Sequence, residues 1–313
     1  MPAIYDMIET VSARFLYADS LAIVQPFRFN QVYTLDHILL YNDSASIYHV
    51  QSLEESIPVL PGEFLYVPSH RKVNISFGSI DISAIPANVF LAHYSNYLAP
   101  FSSAVAEPSR TYGRYSYISF DVKVLECVDL LSLLDIPALK IMPNEYIVSL
   151  YQYILYQNTR PAIAQSALLD HAITILAIEI IRFIFSQKLF LDAFVRKMKY
   201  FQDVRILNIL TYINNNLEKE LSNKVLAELA HISEDYMGQY FKLATNERPQ
   251  AYVECQRMKR AICLLQTTSD TVQDIGKKIG LKDTGYFCRR FKTLFGTQPG
   301  KVRKKRCMLV LQS

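Results

Sequence analysis

No Cys-x-x-Cys or His-x-His pair, no Gly-rich phosphate loop, no Gly-x-Ser-x-Gly and no His-Glu-x-x-His occurs in this chain. Those absences exclude a phosphate-cradling loop, a serine-hydrolase elbow and a zinc protease, and they leave no arrangement for catalysis. The five cysteines, Cys127, Cys255, Cys263, Cys288 and Cys307, are scattered and odd in number. That fits a reducing compartment better than a disulfide frame or a structural zinc. His37, His49, His70 and His93 are dispersed as well, so no metal site is expected. The opening residues, MPAIYDMIETVSARF, carry acids where a secretory signal has basic residues, and they lack its apolar core. The greasiest stretch, 172–185, contains Glu179 and Arg182 and is too short to span a bilayer. The expectation is a soluble cytoplasmic protein that is not an enzyme, with no cofactor and no membrane partner.

What is present is half apolar and 313 residues long, enough for two domains with sizeable cores. The net charge of +4 hides a division. Residues 201–313 carry 19 basic against 11 acidic side chains, a balance of +8; residues 1–200 carry 14 against 18, a balance of −4. A basic end on an acidic body suits a polyanion binder, although a solvated basic face would look the same.

From Leu21 to about Leu134 the chain reads as β. Runs rich in Val, Ile, Tyr and Phe recur at 32–34, 38–41, 47–50, 64–67, 73–77 and 80–85, separated by turns such as Asn42-Asp43-Ser44 and Pro61-Gly62-Glu63. Short strands at this spacing predict a sandwich or barrel. From Pro143 to about Tyr200 the period becomes helical. Ile147, Leu150, Tyr151 and Ile154 share one face; Leu169, Ile173, Leu176, Ile180, Phe183 and Ile184 share a face on a second helix. The wide apolar arc of that second helix can be buried against the β-domain or against another copy of the chain. No Pro/Gly linker follows, so a short polar step near 197–203 joins the domains.

The segment Ser222–Lys242 then reads as helix, turn, helix. Ser222 caps a short helix whose buried side is Val225, Leu226 and Leu229, with small Ala227 where a second helix must approach. His231-Ile232 turns the chain. Ser233 caps the next helix, Glu234 and Asp235 suit its positive end, and Met237, Tyr240 and Phe241 anchor it inward. Thr271–Lys292 repeats the plan with Ile275, Gly276, Ile279, the turn Gly280-Leu281, the cap Asp283, and inward Phe287 and Phe291. Phe241 and Phe291 are 50 residues apart, and Ala227 and Gly276 are 49 apart. One pattern repeated at nearly one offset is far more specific than either copy. Between them, Pro249–Leu265 predicts a helix about 25 Å long. A spacer of that order suits two recognition helices in successive major grooves, about 34 Å apart.

This stretch resembles the C-terminal DNA-binding domain of the AraC-type (AraC/XylS) transcription regulators. The resemblance lies in Arg257-Met258, Ala261 and Leu264-Leu265; in Asp274-Ile275, Gly280-Leu281, Asp283, Tyr286-Phe287, Arg289 and Phe291-Lys292; and in Gly296-Thr297, Pro299 and Arg303. It covers about 100 residues. Gly276 and Leu281 depart from the family's more usual Ala and Phe, and Asn246 stands where many relatives have Gly.

The resemblance implies base-reading positions at Asp235, Gly238 and Gln239 in the first recognition helix and at Thr284, Gly285, Cys288 and Arg289 in the second. Arg289 can grip guanine. In the first helix Gln239 suits adenine and Asp235 suits cytosine, while Gly238 offers no side chain. Lys242, Lys282, Arg290 and Lys292 are expected at phosphates, which position without specifying. Residues 301–306 hold five basic side chains in six, either a solvated end or a source of salt-sensitive affinity.

The resemblance also implies an α+β multidomain chain. Residues 1–140 would be a cupin-like β-barrel or sandwich, 141–200 a helical linker and dimerisation segment, and 201–313 the all-α domain with two helix-turn-helix units. Pro61–His70 is similar to the family's barrel segment. His70, Arg71 and Lys72 form the nearest cluster able to hold a ligand carboxylate; as neighbours at a strand start they equally suit a solvated edge. The implied function is a transcription regulator, usually an activator in this family. Double-stranded DNA would be its partner, with RNA polymerase, a small apolar or protein effector, and a second copy of the chain as further partners. The alternative is a protein-interaction module that has lost specific DNA binding and antagonises another regulator.

Overall fold

A computed structural model of the chain describes residues 8–50, 56–86, 89–90, 93–101, 111–133, 136–160, 162–187, 200, 203–295 and 298–302, without the side chains of 31–33 and 133. The expected features at Gly296, Thr297 and Arg303, the basic residues from 303 onward, and most of the step at 197–203 lie outside the described residues. The chain divides into two compact units. One comprises 12–122 and 136–187. The other comprises the residues up to 11, 123–135 and 188–307.

The first unit is a sandwich of antiparallel strands: β1 (Ser12–Ile23), β2 (Phe27–Tyr33), β3 (His37–Asn42), β4 (Ile47–Val50), β5 (Ser56–Val59), β6 (Phe64–Val67) and β7 (Lys72–Phe77). A short helix α1 (Tyr94–Tyr97) leads to β8 (Leu98–Pro100) and β9 (Arg114–Lys123). The other unit takes up α2 (Leu130–Leu133); β10 (Leu139–Ile141), α3 (Glu145–Asn158) and α4 (Gln165–Ser186) return to the sandwich. The sheets run β10-β6-β3-β9-β1-β8 and β2-β7-β4-β5.

Alternation along β9 sends Tyr115 and Tyr117 into the core with Phe27, Phe29, Phe77 and Phe90. The Phe27 and Phe77 rings stack at 4.7 Å, and Phe29 meets Phe90 edge-on at 4.8 Å. Ser116, on the opposite face of β9, accepts from the hydroxyl of Tyr151 on α3 at 3.3 Å. The wide apolar arc of α4 is buried within this unit: Asp170 accepts from the Phe15 amide at 2.8 Å and Thr174 from the Ala13 amide at 3.0 Å, both on β1. Leu169, Ile173, Leu176, Ile180 and Ile184 are buried, while Phe183 is half-buried. Gly62 takes a left-handed φ of 88° in the turn before β6, as Pro61-Gly62-Glu63 anticipates.

Two expectations need correction. The run 80–85 is not a strand; a single backbone bond, Ile85 amide to Arg28 carbonyl at 2.9 Å, replaces a ladder. The β region also begins at Ser12, well before Leu21.

The second unit holds α5 (Val204–Asn215), α6 (Asn223–Ala230), α7 (Glu234–Thr245), α8 (Pro249–Thr267), α9 (Val272–Lys278), α10 (Thr284–Phe295) and α11 (Pro299–Val302). Residues 123–133 belong to it. Their turn is closed by reciprocal Val124–Val128 backbone bonds of 2.8 and 3.0 Å, with Leu125 and Glu126 both left-handed at φ 50° and 61°. Buried Cys127 follows, its carbonyl accepting from the Asn214 amide on α5 at 3.3 Å. Nearby, burial pushes the Tyr252 phenol far above its usual range, with Asp129 and Cys127 adding to the effect and Asn214 hydrogen-bonding it.

Candidate nucleic-acid interface

Each helix-turn-helix is built by caps and a small contact residue. Ser222 and Ser233 accept from the amides of Val225 at 3.5 Å and Tyr236 at 3.4 Å; Thr271 and Asp283 accept from Asp274 at 3.1 Å and Tyr286 at 2.9 Å. These bonds satisfy amides that a helix start leaves without partners. In the first turn His231 is left-handed at φ 54°, and the Ile232 amide reaches back to Ala227 at 3.1 Å. In the second, Gly280 is left-handed at φ 77°, and the Leu281 amide reaches Gly276 at 2.8 Å. The second helix-turn-helix is tighter. A methyl on Gly276 would lie 2.8 Å from the Leu281 carbonyl, and one on Gly280 would lie 2.4 Å from the Leu217 carbonyl. Arg257 braces the same place, donating to the carbonyls of Leu217 at 3.0 Å and Lys219 at 2.7 Å. Burial lowers its guanidinium pKa.

Met237, Tyr240 and Phe241 hold α7 inward, and Phe287, Phe291 and Phe295 hold α10. The opposite faces are open. On α7, Asp235, Gln239 and Lys242 are exposed, and Gly238 is half-buried with open space where a side chain would stand. On α10, Gly285, Arg289 and Lys292 are exposed, while Thr284, Cys288 and Arg290 are half-buried. Lys282 is exposed on the preceding turn. Lys242, Lys282 and Lys292 form no ion pair among the described residues.

Arg290 differs. Its Nη2 donates to Glu254 Oε2 at 2.7 Å, and its Nε donates to Glu254 Oε1, joining α10 to α8. At the matching position of the first helix-turn-helix stands Tyr240, with the Arg205 guanidinium 5.4 Å over its ring. Arg205 in turn is held by Asp203 at 2.7 Å, and those bonds bring the Asp203 carboxyl down to about 2.

Sequence reasoning passed over Tyr236 and Tyr286 as surface contacts. Each is the third residue of its recognition helix, and they are 45% and 46% exposed. Their 50-residue separation, the same as that of Phe241 and Phe291, is the signal that would have found them. Glu254 had no such signal.

In the sandwich, His70 is the left-handed residue of the β6–β7 turn at φ 60°, its amide donating to Thr34 at 2.7 Å. His70 and Arg71 are half-buried and Lys72 is exposed. His37 is buried, with Nδ1 2.8 Å from the Tyr66 hydroxyl, and burial lowers the pKa of His49. Among the described residues no group of three or more His, Cys, Asp or Glu is placed to hold a metal, and no helix is long and apolar enough to cross a membrane.

Residues 226–305 match the family described as a helix-turn-helix domain. YpdC of Escherichia coli, an uncharacterised HTH-type transcriptional regulator, is 27% identical over 94 residues, 30% of this chain and 33% of that protein. The HTH-type transcriptional regulator AlkR of Acinetobacter baylyi is 27% identical over 158 residues, 50% of each chain. The match thus spans a third to a half of these relatives' length. The crystal structure of ToxT from Vibrio cholerae superposes with a TM-score of 0.53 at 9% identity, covering 95% of this chain and 98% of that one, so the two share a fold. The stretch that holds the duplicated helix-turn-helix frame is thus where the chain is similar to these HTH-type transcriptional regulators.

Proposed function

We propose that the protein is a sequence-specific DNA-binding transcription regulator, acting as an activator that contacts RNA polymerase. The observation that carries this reading is the pair of capped, inwardly anchored helices, α7 and α10, whose outward faces hold the expected base-reading positions. Arg289 reads guanine in the major groove, Gln239 reads adenine, and Asp235 accepts from cytosine. Thr284, Gly285 and Cys288 flank Arg289, and Gly238 lets the first helix approach closely. Lys242, Lys282 and Lys292 neutralise phosphates. Site selection and footprinting with the full chain test the assignment. Protection of two adjacent major-groove faces on one side of the duplex is the expected result. Absence of any sequence preference, together with capture of another regulator, would favour the antagonist reading instead.

For the sandwich unit we read dimerisation. Tyr146, Tyr153 and Tyr156 on α3 and Leu168 and Ile175 on α4 are exposed. An apolar face of that kind is covered by a second copy of the chain. Sedimentation of the full chain should give a dimer that Tyr153→Glu and Ile175→Glu dissociate. A second reading, a receptor for an apolar carboxylate held by His70, Arg71 and Lys72, is favoured by the fold shared with ToxT, one crystal structure of which holds an unsaturated fatty acid at a TM-score of 0.50. A ligand-induced rise in melting temperature with long-chain fatty acids, lost in Lys72→Glu, tests it.

A further inference from the structure

Two arginines stand side by side on the second recognition helix, Arg289 and Arg290, and the helical repeat sets them about 100° apart. A rotation of α10 about its axis would exchange which of them faces outward. One of the two already has a partner. Glu254 on α8 takes Arg290 side-on through Nε and Nη2, and both side chains are partly sheltered, at 37% exposure for Arg290 and 27% for Glu254. Arg289 is exposed, with Nη1 3.4 Å from where a side chain on Gly285 would begin. A fork-to-fork pair of this kind fixes direction as well as distance, since two parallel bonds are lost together if either helix turns. At the matching place in the first helix-turn-helix, the carboxylate–guanidinium pair of Asp203 and Arg205 lies against Tyr240.

We propose that Glu254 and Arg290 are positioning residues for DNA reading. Their pair locks the rotation of α10 on α8, so that Arg289, and not its neighbour, addresses the base edges, and Arg290 does not serve as a phosphate contact. This rests on the reading of α10 as a DNA-recognition helix. It adds a determinant of specificity that never touches DNA.

The test is equilibrium binding of the full chain to its selected site and to a scrambled duplex, each over a range of salt. The variants are Glu254→Gln, Arg290→Gln and the exchange Glu254→Arg with Arg290→Glu; melting curves without DNA verify folding. In Glu254→Gln the ratio of cognate to scrambled affinity should fall about tenfold, a typical coupling for contacting residues. The salt slope of Arg290→Gln should equal that of the wild type, and the exchange should restore the ratio. A salt slope about one unit shallower in Arg290→Gln would make Arg290 a phosphate contact and overturn the proposal. So would an unchanged ratio in Glu254→Gln, or an exchange that melts like the wild type yet fails to restore the ratio. A wild type without any sequence preference would instead remove the DNA-reading assignment itself.

Discussion

The side-chain amide of Asn214 donates to the backbone carbonyl of Cys127 at 3.3 Å, across 87 residues of chain. Residue 127 follows a strand of the sandwich, yet it is part of the helical unit: its thiol lies 4.0 Å from the Leu207 carbonyl, and the half-buried Tyr252 is near it. The helical unit is therefore not complete in the last third of the chain.

A fragment beginning at residue 200 should consequently be less stable than the same unit in the full protein, because it loses the neighbours of Leu207, Asn214 and Tyr252. Asn214→Ala in the full chain should cost about 1 kcal/mol, the usual worth of one such bond. Urea unfolding followed by the helical signal measures both. A fragment as stable as the intact unit would mean that the 123–133 segment contributes nothing.

The glycines of the helical unit should respond in opposite directions. Gly238→Ala meets open space and should stabilise α7 by about 0.5–1 kcal/mol through helix propensity. Gly276→Ala must push against the Leu281 carbonyl and should destabilise by about 1–3 kcal/mol despite the same propensity gain. The midpoint of chemical unfolding distinguishes the two signs.

The recognition helices should be unequal. Arg289→Ala should cost about 1–3 kcal/mol at one base position and relax preference there, whereas Lys292→Ala should weaken all sequences alike and reduce the salt slope by about one. Gln239→Ala should change preference less than Arg289→Ala does, since no basic side chain faces outward between Ser233 and Tyr240. Binding to a panel of single-base variants of the site reads these differences.

Acid should loosen the Asp203–Arg205 pair. Its bonds hold the Asp203 carboxyl at about 2 instead of the ordinary 3.8, so the folded state binds this proton less readily than the unfolded chain. The pair's stabilisation is therefore complete above about pH 4 and lost as the pH falls through about 2. Asp203→Asn should flatten the acid limb of the unfolding profile in that window. The side chains are partly in solvent, which keeps the effect small.

The helix-turn-helix frame was legible because its determinants are local. Ser222, Ser233, Thr271 and Asp283 cap helices within three residues, and the apolar period of each helix announces its buried face. What escaped was non-local. The Glu254–Arg290 pair spans 36 residues with nothing but opposite charge to link it, and the 123–133 turn joins a unit whose other parts lie far along the chain. The run 80–85 has the composition of a strand but only a single backbone bond to β2, which composition cannot reveal. For the expected site residues the sequence indicated which helix faces they occupy; only the side-chain geometry separates Arg290 from Arg289.

Whether α7 and α10 read DNA together is decided by site selection followed by hydroxyl-radical and methylation footprinting of the full chain. Two protected major-groove faces one helical turn apart on one side of the duplex are expected, with strong base preference under α10 and weak preference under α7. Uniform binding to every sequence with a steep salt dependence would contradict that reading.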